Sequence, residues 1–203
     1  RLLISIVGQS GCGKTTLLNI LSGIDRDVSG EVIFNGINLI SLNNKEMLDF
    51  RLHNLGYVFQ NFNLIPLENG ERNVSLVFDS STNVSKSFRR RKIKRLFKII
   101  NATQLMKQKV IKMSGGEKQR IAILRAIANS PKLILCDEPT GSLDERNSYE
   151  IMEILHQISV NSLVLVVSHD RPLVEKFADV IIEMKDGQII SKEKLKNKKN
   201  QIA

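Results

Sequence analysis

The chain has 203 residues, 42% of them apolar and 25% charged, a balance that excludes intrinsic disorder and collagen-like repetition and suits one domain with a sizeable core. Thirty Lys and Arg against 21 Asp and Glu leave a net +9, which admits nucleic acid, an anionic membrane or a phosphorylated ligand as partner without choosing among them. Two cysteines, Cys12 and Cys136, are too few for a disulfide framework and fit a reducing compartment, and no apolar run approaches the ~20 residues of a membrane-spanning helix.

The chain opens at Arg1 and enters a strand-like run at once, so an earlier segment is expected to be missing. Residues 2–7 are unbroken apolar text ending at Gly8, the pattern of a buried parallel strand. A lipoprotein signal ending at Gly11-Cys12 is set aside, because the apolar stretch is too short and Gly-Lys-Thr follows. A Gly-rich turn leads into a helix from Lys14 to about Ser22. Residues 31–34 predict a strand closed by Asn35-Gly36, and residues 55–60 another. Ile93, Leu96, Phe97 and Ile100 fall at i, i+3, i+4 and i+7, and Ile121, Ala122, Leu124, Ala126 and Ala128 continue a second helix after Gly115-Gly116. Residues 133–136, 163–167 and 180–184 are further apolar strands, with helices at 144–159 and 172–177 between them. This alternation predicts an α/β fold with a mainly parallel sheet. Residues 66–130 are expected to form an inserted α-helical subdomain within the single domain 1–203. Residues 1–65 and 131–190 form its core and residues 191–203 a basic tail, solvated and frayed over 192–199.

Gly8-Gln9-Ser10-Gly11-Cys12-Gly13-Lys14-Thr15 matches G-x-x-x-x-G-K-[ST] between a strand and a helix, the context in which that pattern is a phosphate-binding P-loop. The glycines allow a path that turns successive N–H groups inward as an anion nest, and the helix adds its positive end. Lys14 is expected to reach the β- and γ-phosphates, the Thr15 hydroxyl to ligate Mg²⁺, and Thr16 to touch the α-phosphate. Residues 133–138 are an apolar strand ending in two acids: Asp137 suits a metal's water shell, and Glu138 stands where it could polarise an attacking water. Ser114-Gly115-Gly116-Glu117 opens a helix that by itself reads as an ordinary capping box more readily than as a second anion site. By themselves Gln60 is a polar residue at a strand end, Asp144 an adequate helix cap, and His169 a lone histidine after a strand; His53 and His156 read as surface or helix residues.

Taken together, the segments LLNILSGIDRDVSGEV, GYVFQNFNLIP, SGGEKQRIAILRAIANSPKLILCDEPTGSLD and VVSHD resemble the nucleotide-binding subunit of ATP-binding cassette transporters over nearly the whole chain. Within that superfamily the text is most similar to the lipoprotein-release, macrolide-export and bacitracin-resistance group. The resemblance implies a P-loop NTPase core, ATP and Mg²⁺ as cofactors, and a family signature at residues 113–120, usually L-S-G-G-Q-x-Q-R. It implies that Gln60 is a Mg²⁺ and water ligand linked to the transmembrane partner, that Glu138 is the general base, and that His169 contacts the γ-phosphate. It implies that Asp144 communicates across a dimer in which Ser114, Gly115 and Gly116 of one subunit face the ATP held by Lys14 of the other. The expected partners are a second cassette and a membrane permease, which would place the chain peripherally on the cytoplasmic face of the membrane. A cassette acting on nucleic acid or ribosomes is the alternative. Against it, only 100 residues separate Lys14 from Ser114, with no sustained heptads, and the chain holds one cassette.

Three departures from the pattern stand out. The two strands and adenine-stacking aromatic that usually precede the P-loop are absent, residues 67–72 are more polar than usual near the expected permease contact, and Cys12 replaces Ser or Ala. The charge is also uneven. Residues 86–112 hold eleven Lys and Arg and no acid, residues 192–199 add a net +4, and the rest of the chain sums to −6. Nucleic acid is therefore not expected as a partner. The basic stretch reads either as a solvated helix face or as a contact with anionic lipid beside the permease.

Overall fold

The computed structural model describes residues 2–79 and 85–195. Among these the strands are Leu3–Val7 (β1), Ile33–Phe34 (β2), Ile37–Asn38 (β3), Leu55–Val58 (β4), Leu133–Asp137 (β5), Leu163–Ser168 (β6), Val180–Lys185 (β7) and Gln188–Lys194 (β8). The helices are Lys14–Leu21 (α1), Asn44–Asn54 (α2), Gly70–Asp79 (α3), Lys86–Ile99 (α4), Gly115–Ile127 (α5), Glu145–Ser159 (α6) and Arg171–Phe177 (α7). Six strands form one sheet in the order β4-β5-β6-β1-β7-β8, parallel except for β8. The strand β5 is buried at every position and β6 at all but the first, which is why both read as continuous apolar runs.

Register fixes where the chemistry gathers. Val7 stands opposite Ser168, Asp137 opposite Val167, and Val58 opposite Cys136, so β1, β4, β5 and β6 finish level along one edge. The segments that follow them, containing Gly8, Gln60, Glu138 and His169, all emerge there. Such carboxyl ends are where open α/β sheets bind ligands.

One face of the sheet is covered by α1 through Ile6, Leu18, Leu135, Val167 and Met184. On the other face a single buried cluster runs from Ile134 and Val164 through Ile121 of α5 to Val74 and Phe78 of α3 and Ile93 and Phe97 of α4. Gly56 lets this layer close. A Cβ there would stand 2.4 Å from the Ala126 carbonyl oxygen, so glycine allows α5 to press directly on β4.

Four features differ from the sequence expectations. The predicted strand at 31–34 shortens to β2, which pairs only with β3 in a separate hairpin turned by Asn35 and Gly36, both at positive φ. The strand from Leu55 stops at Val58, so Phe59 and Gln60 lie beyond it. The helix α2 is unexpected: it carries little periodic apolar text and buries only Met47 and Phe50. By contrast, α3 falls inside the expected helical stretch, with Val74, Val77 and Phe78 at i, i+3 and i+4. Finally, Lys192 and Lys194 are not a frayed tail: they belong to β8, which pairs antiparallel with β7 across an Asp186-Gly187 turn. A wholly exposed edge strand needs backbone partners rather than apolar side chains, and its lysines blunt the free edge. The remainder of the expected tail, residues 196–203, lies outside the described residues.

Candidate active site

The loop between β1 and α1 gets its shape from glycine. Gly11 and Gly13 have φ of +81° and +98°, a region closed to most side chains. Any Cβ on Gly8 would strike the Met184 carbonyl oxygen at 2.3 Å. The loop wraps Lys14, whose buried ammonium donates to the Gly8 and Gln9 carbonyl oxygens at 2.8 Å each and lies 3.8 Å from the Cys12 sulfur. The Cys12 side chain packs with Ile6, Leu18 and Met184 behind the loop, its sulfur against the Lys14 ammonium.

Ser10, Gly11 and Gly13 of the loop, Lys14, Thr15 and Thr16 of α1, and Gln60, Glu138 and His169 line one cleft of about 480 Å³. Below it, the Thr15 hydroxyl donates to Asp137 Oδ1 at 3.0 Å, joining α1 to β5 across the intervening β6. Burial pushes the Asp137 carboxyl above its ordinary range, while the Thr15 hydrogen bond and the Lys14 charge pull it back. The same burial, aided by Asp137, raises the neighbouring Tyr57 phenol to about 12. Two hard oxygen donors, Thr15 and Asp137, beside the Lys14 ammonium at the start of a helix suit a Mg²⁺–polyphosphate. Among the described residues, no cluster of three or more His, Cys, Asp or Glu side chains could hold a metal ion by itself.

Glu138 has φ +44°, unusual for a residue with a side chain, and its N–H is held by the Val167 carbonyl at 3.0 Å. That turn carries its carboxylate out of the β5 line to meet His169 Nδ1 at 2.9 Å. The Glu138 side chain is 14% exposed and that of His169 64%, so the acid sits in the wall and the imidazole at the mouth.

Ser114, Gly115, Gly116 and Asp144 lie apart from this lining and form a second group of their own. Ser114 and Glu117 close a full capping box, with N–H to oxygen distances of 3.3 and 2.8 Å. Asp144 accepts from the Asn147 backbone and side-chain N–H groups at 2.8 and 2.7 Å, and these bonds hold its carboxyl below the usual range. Sequence reading missed Asn147. Its Oδ1 lies 2.5 Å from where a Gly116 Cβ would stand, and Leu143 lies 3.2 Å from that of Gly115. Asn147 thus wedges the 142–144 turn against the opening of α5, and the Asp-x-x-Asn spacing was its one visible signal. Arg125 was missed too. It donates to the Asn63 and Phe62 carbonyls, tethering the segment after Gln60 to α5. Buried Asn73 completes the tether with hydrogen bonds to both the N–H and the carbonyl of Ile65. His53 is exposed on α2, and His156 on α6 bonds the Phe177 carbonyl, both outside the cleft.

A family model described as ABC transporter matches residues 2–141. The chain belongs to the ABC transporter family. An uncharacterized ABC transporter ATP-binding protein of Methanocaldococcus jannaschii, MJ0796, is 39% identical over 198 residues, covering 95% of this chain and 84% of the relative. The macrolide export ATP-binding/permease protein MacB of Campylobacter jejuni is 37% identical over 201 residues, 96% of this chain but 31% of that longer protein. The fold agrees with solved cassettes. The dimeric post-hydrolysis structure of MJ0796 bound to ADP and Pi superposes with a TM-score of 0.86 at 37% identity, over 97% of this chain and 86% of that one.

Proposed function

We propose that this chain is the ATP-binding and ATP-hydrolysing subunit of an ABC transporter, working as a head-to-tail pair beside a membrane permease. The observation that carries the reading is the division of the site. Lys14, Thr15, Asp137, Glu138 and His169 converge on one cleft, while Ser114, Gly116 and Asp144 converge elsewhere on the same chain. A second copy turned end for end would supply the missing wall, and the MJ0796 cassette is described as dimeric. In this reading residues 66–130 are the helical arm that carries the signature, on a core made of residues 1–65 and 131–190.

The roles we assign follow the contacts. Backbone N–H groups of residues 9–13 and the start of α1 cradle the phosphates, and Lys14 neutralises their charge. Thr15, Asp137 and Gln60 would hold Mg²⁺, which when bound supplies charge neutralisation and orientation of the terminal phosphate. Glu138 accepts the proton of the attacking water, and His169, hydrogen-bonded to it, steadies that carboxylate and reaches toward the γ-phosphate. Ser114 and Gly116 from the partner copy close over the γ-phosphate, and Asp144 reports across the pair.

A groove of about 560 Å³ beside the post-Gln60 segment, walled by Leu48, Tyr57, Phe59, Val77 and Arg125, is the face we assign to the permease. Among the described residues no helix is long and apolar enough to cross a membrane, so membrane association is assigned to partners, at the cytoplasmic face, with anionic lipid among them. The cluster of basic residues stands on α4 rather than at the cleft, which weighs against the nucleic-acid alternative. The test is Glu138→Gln. Phosphate release should fall about 10²–10⁴-fold while ATP binding persists and ATP accumulates a dimer on size-exclusion chromatography. Near-normal hydrolysis would falsify the assignment.

A further inference from the structure

We infer that the amino-terminal half of α4, around Phe88, Arg90, Arg91 and Lys94, is a contact surface for anionic membrane lipid. The inference rests on the transporter reading and says which face of the chain meets the bilayer.

The helix α4 has the sequence KSFRRRKIKRLFKI, eight cations and no acid. Its first turns are basic, with no acidic residue in the first turn, although the positive end of a helix dipole favours the opposite sign. The Ser85 cap, accepting from the Phe88 N–H, offsets part of this. An arrangement that disfavours its own helix is relieved when anions approach that end. Lys86, Arg90, Arg91, Lys94, Arg95 and Lys98 are exposed, and among the described residues none has an acidic side chain within salt-bridge distance. Phe88, 49% exposed, stands among them. Cations surrounding an exposed aromatic ring are the composition of a surface that lies at a lipid headgroup boundary.

The position fits as well. Ile93 and Phe97 bury the opposite face of α4, which holds the basic face outward. Lys92 is turned inward instead, over the Phe78 ring at 5.6 Å. Phe78 adjoins Val77, which walls the groove assigned to the permease. This end of α4 therefore stands beside that groove, where a bilayer surrounding the permease would lie. Nucleic acid would share the cations and could stack a base on Phe88, so what favours lipid is the place of this face beside the groove assigned to the permease.

The test is co-sedimentation of the full chain with vesicles of phosphatidylcholine alone or with phosphatidylglycerol added, at low and high salt. Expected is binding that needs phosphatidylglycerol and fades with salt. The triple reversal Arg90→Glu, Arg91→Glu, Lys94→Glu should weaken it about 100-fold, from roughly a tenfold loss for each 1.4 kcal/mol and about 1 kcal/mol per cation near the surface. Lys45→Glu, Lys132→Glu, Lys185→Glu changes net charge equally at other exposed sites and should weaken binding far less. Phe88→Ala should reduce the binding that survives high salt. Equal losses in the two triple variants, equal binding to both vesicles, or preferential capture of RNA would each overturn the proposal. Circular dichroism melts show that a variant is folded. ATP hydrolysis by the same preparations separates the two readings: lipid indifference with intact hydrolysis overturns only this surface, whereas loss of nucleotide chemistry in the unaltered chain overturns the transporter reading.

Discussion

The openings of α1 and α5 begin alike, each a Gly-containing turn feeding the positive end of a helix, yet their surroundings make them different objects. At α1 the turn is held in left-handed backbone by Gly11 and Gly13, and Lys14, Thr15 and Asp137 supply charge and oxygen donors around a cleft. At α5 the Ser114–Glu117 box satisfies the helix's own N–H groups, and the nearest polar neighbour is Asn147 rather than a cation. A helix start with its cap closed is weak as an independent anion site, and a cleft with one wall missing is weak as a catalyst. The difference is what the proposed pairing would use: two unlike groups on one chain, each lacking what the other holds.

Mixing two damaged chains tests this division most severely. Lys14→Ala removes the cradle's cation, and Gly116→Ala places a methyl 2.5 Å from Asn147 Oδ1 and thickens the face proposed for the partner's ATP. Each variant alone should lose about 100-fold or more of its ATPase rate. Mixed in equal amounts they should recover up to about a quarter of the original rate, because half the dimers then hold one intact site. No recovery, with dimers demonstrably exchanging, would show that both halves act within one chain.

Asp137→Asn separates catalysis from stability on the α1 side. Phosphate release should fall about 10²-fold or more, since the floor of the cleft loses its negative charge. Stability without nucleotide should move the other way. Burial raises the Asp137 carboxyl in the folded state, so the native chain binds a proton more readily than the unfolded one. The wild-type carboxylate then costs stability as pH rises through the interval between its ordinary and its raised value. The variant should therefore melt above the wild type at pH 7, with the gap closing below the ordinary carboxylate range. Thermal melts across pH check the sign.

Smaller effects probe the parts that join the halves. Asn73→Ala strips a buried amide from the part-buried Ile65 N–H and carbonyl and should cost about 1–2 kcal/mol in denaturant unfolding, the loss of hydrogen bonds to backbone that water can still reach. Asn147→Ala should lower kcat by about tenfold or less with KM for ATP unchanged, because it frees the 142–144 turn without touching the cradle. Asn147→Asp, which keeps the backbone contact but sets two carboxylates together, should be worse than alanine. An equal rise in KM would place Asn147 on the cradle side instead.

The sequence by itself determined the sheet's central strands, the P-loop and the acids after β5, because continuous apolar runs and glycine-dependent backbone are local properties. Residues 2–7 and 133–136 read as buried strands from their apolar run alone, and Gly8 to Thr15 read as a phosphate cradle from its spacing. Local text also sufficed for α4, whose apolar residues keep helical spacing. It failed for α2, with only Met47 and Phe50 buried, although Asn43 and Glu46 form a capping box that could have signalled it. It failed for β8, whose exposed lysines are held by pairing with β7 and carry no apolar alternation. Tertiary structure alone decided which residues meet. Parallel register set Glu138 against His169, 31 positions away, and Thr15 against Asp137, 122 positions away. It also brought Asn147 to Gly116 and Arg125 to the segment after Gln60. Such contacts depend on how layers stack and where strands end, quantities that no window of neighbouring residues contains.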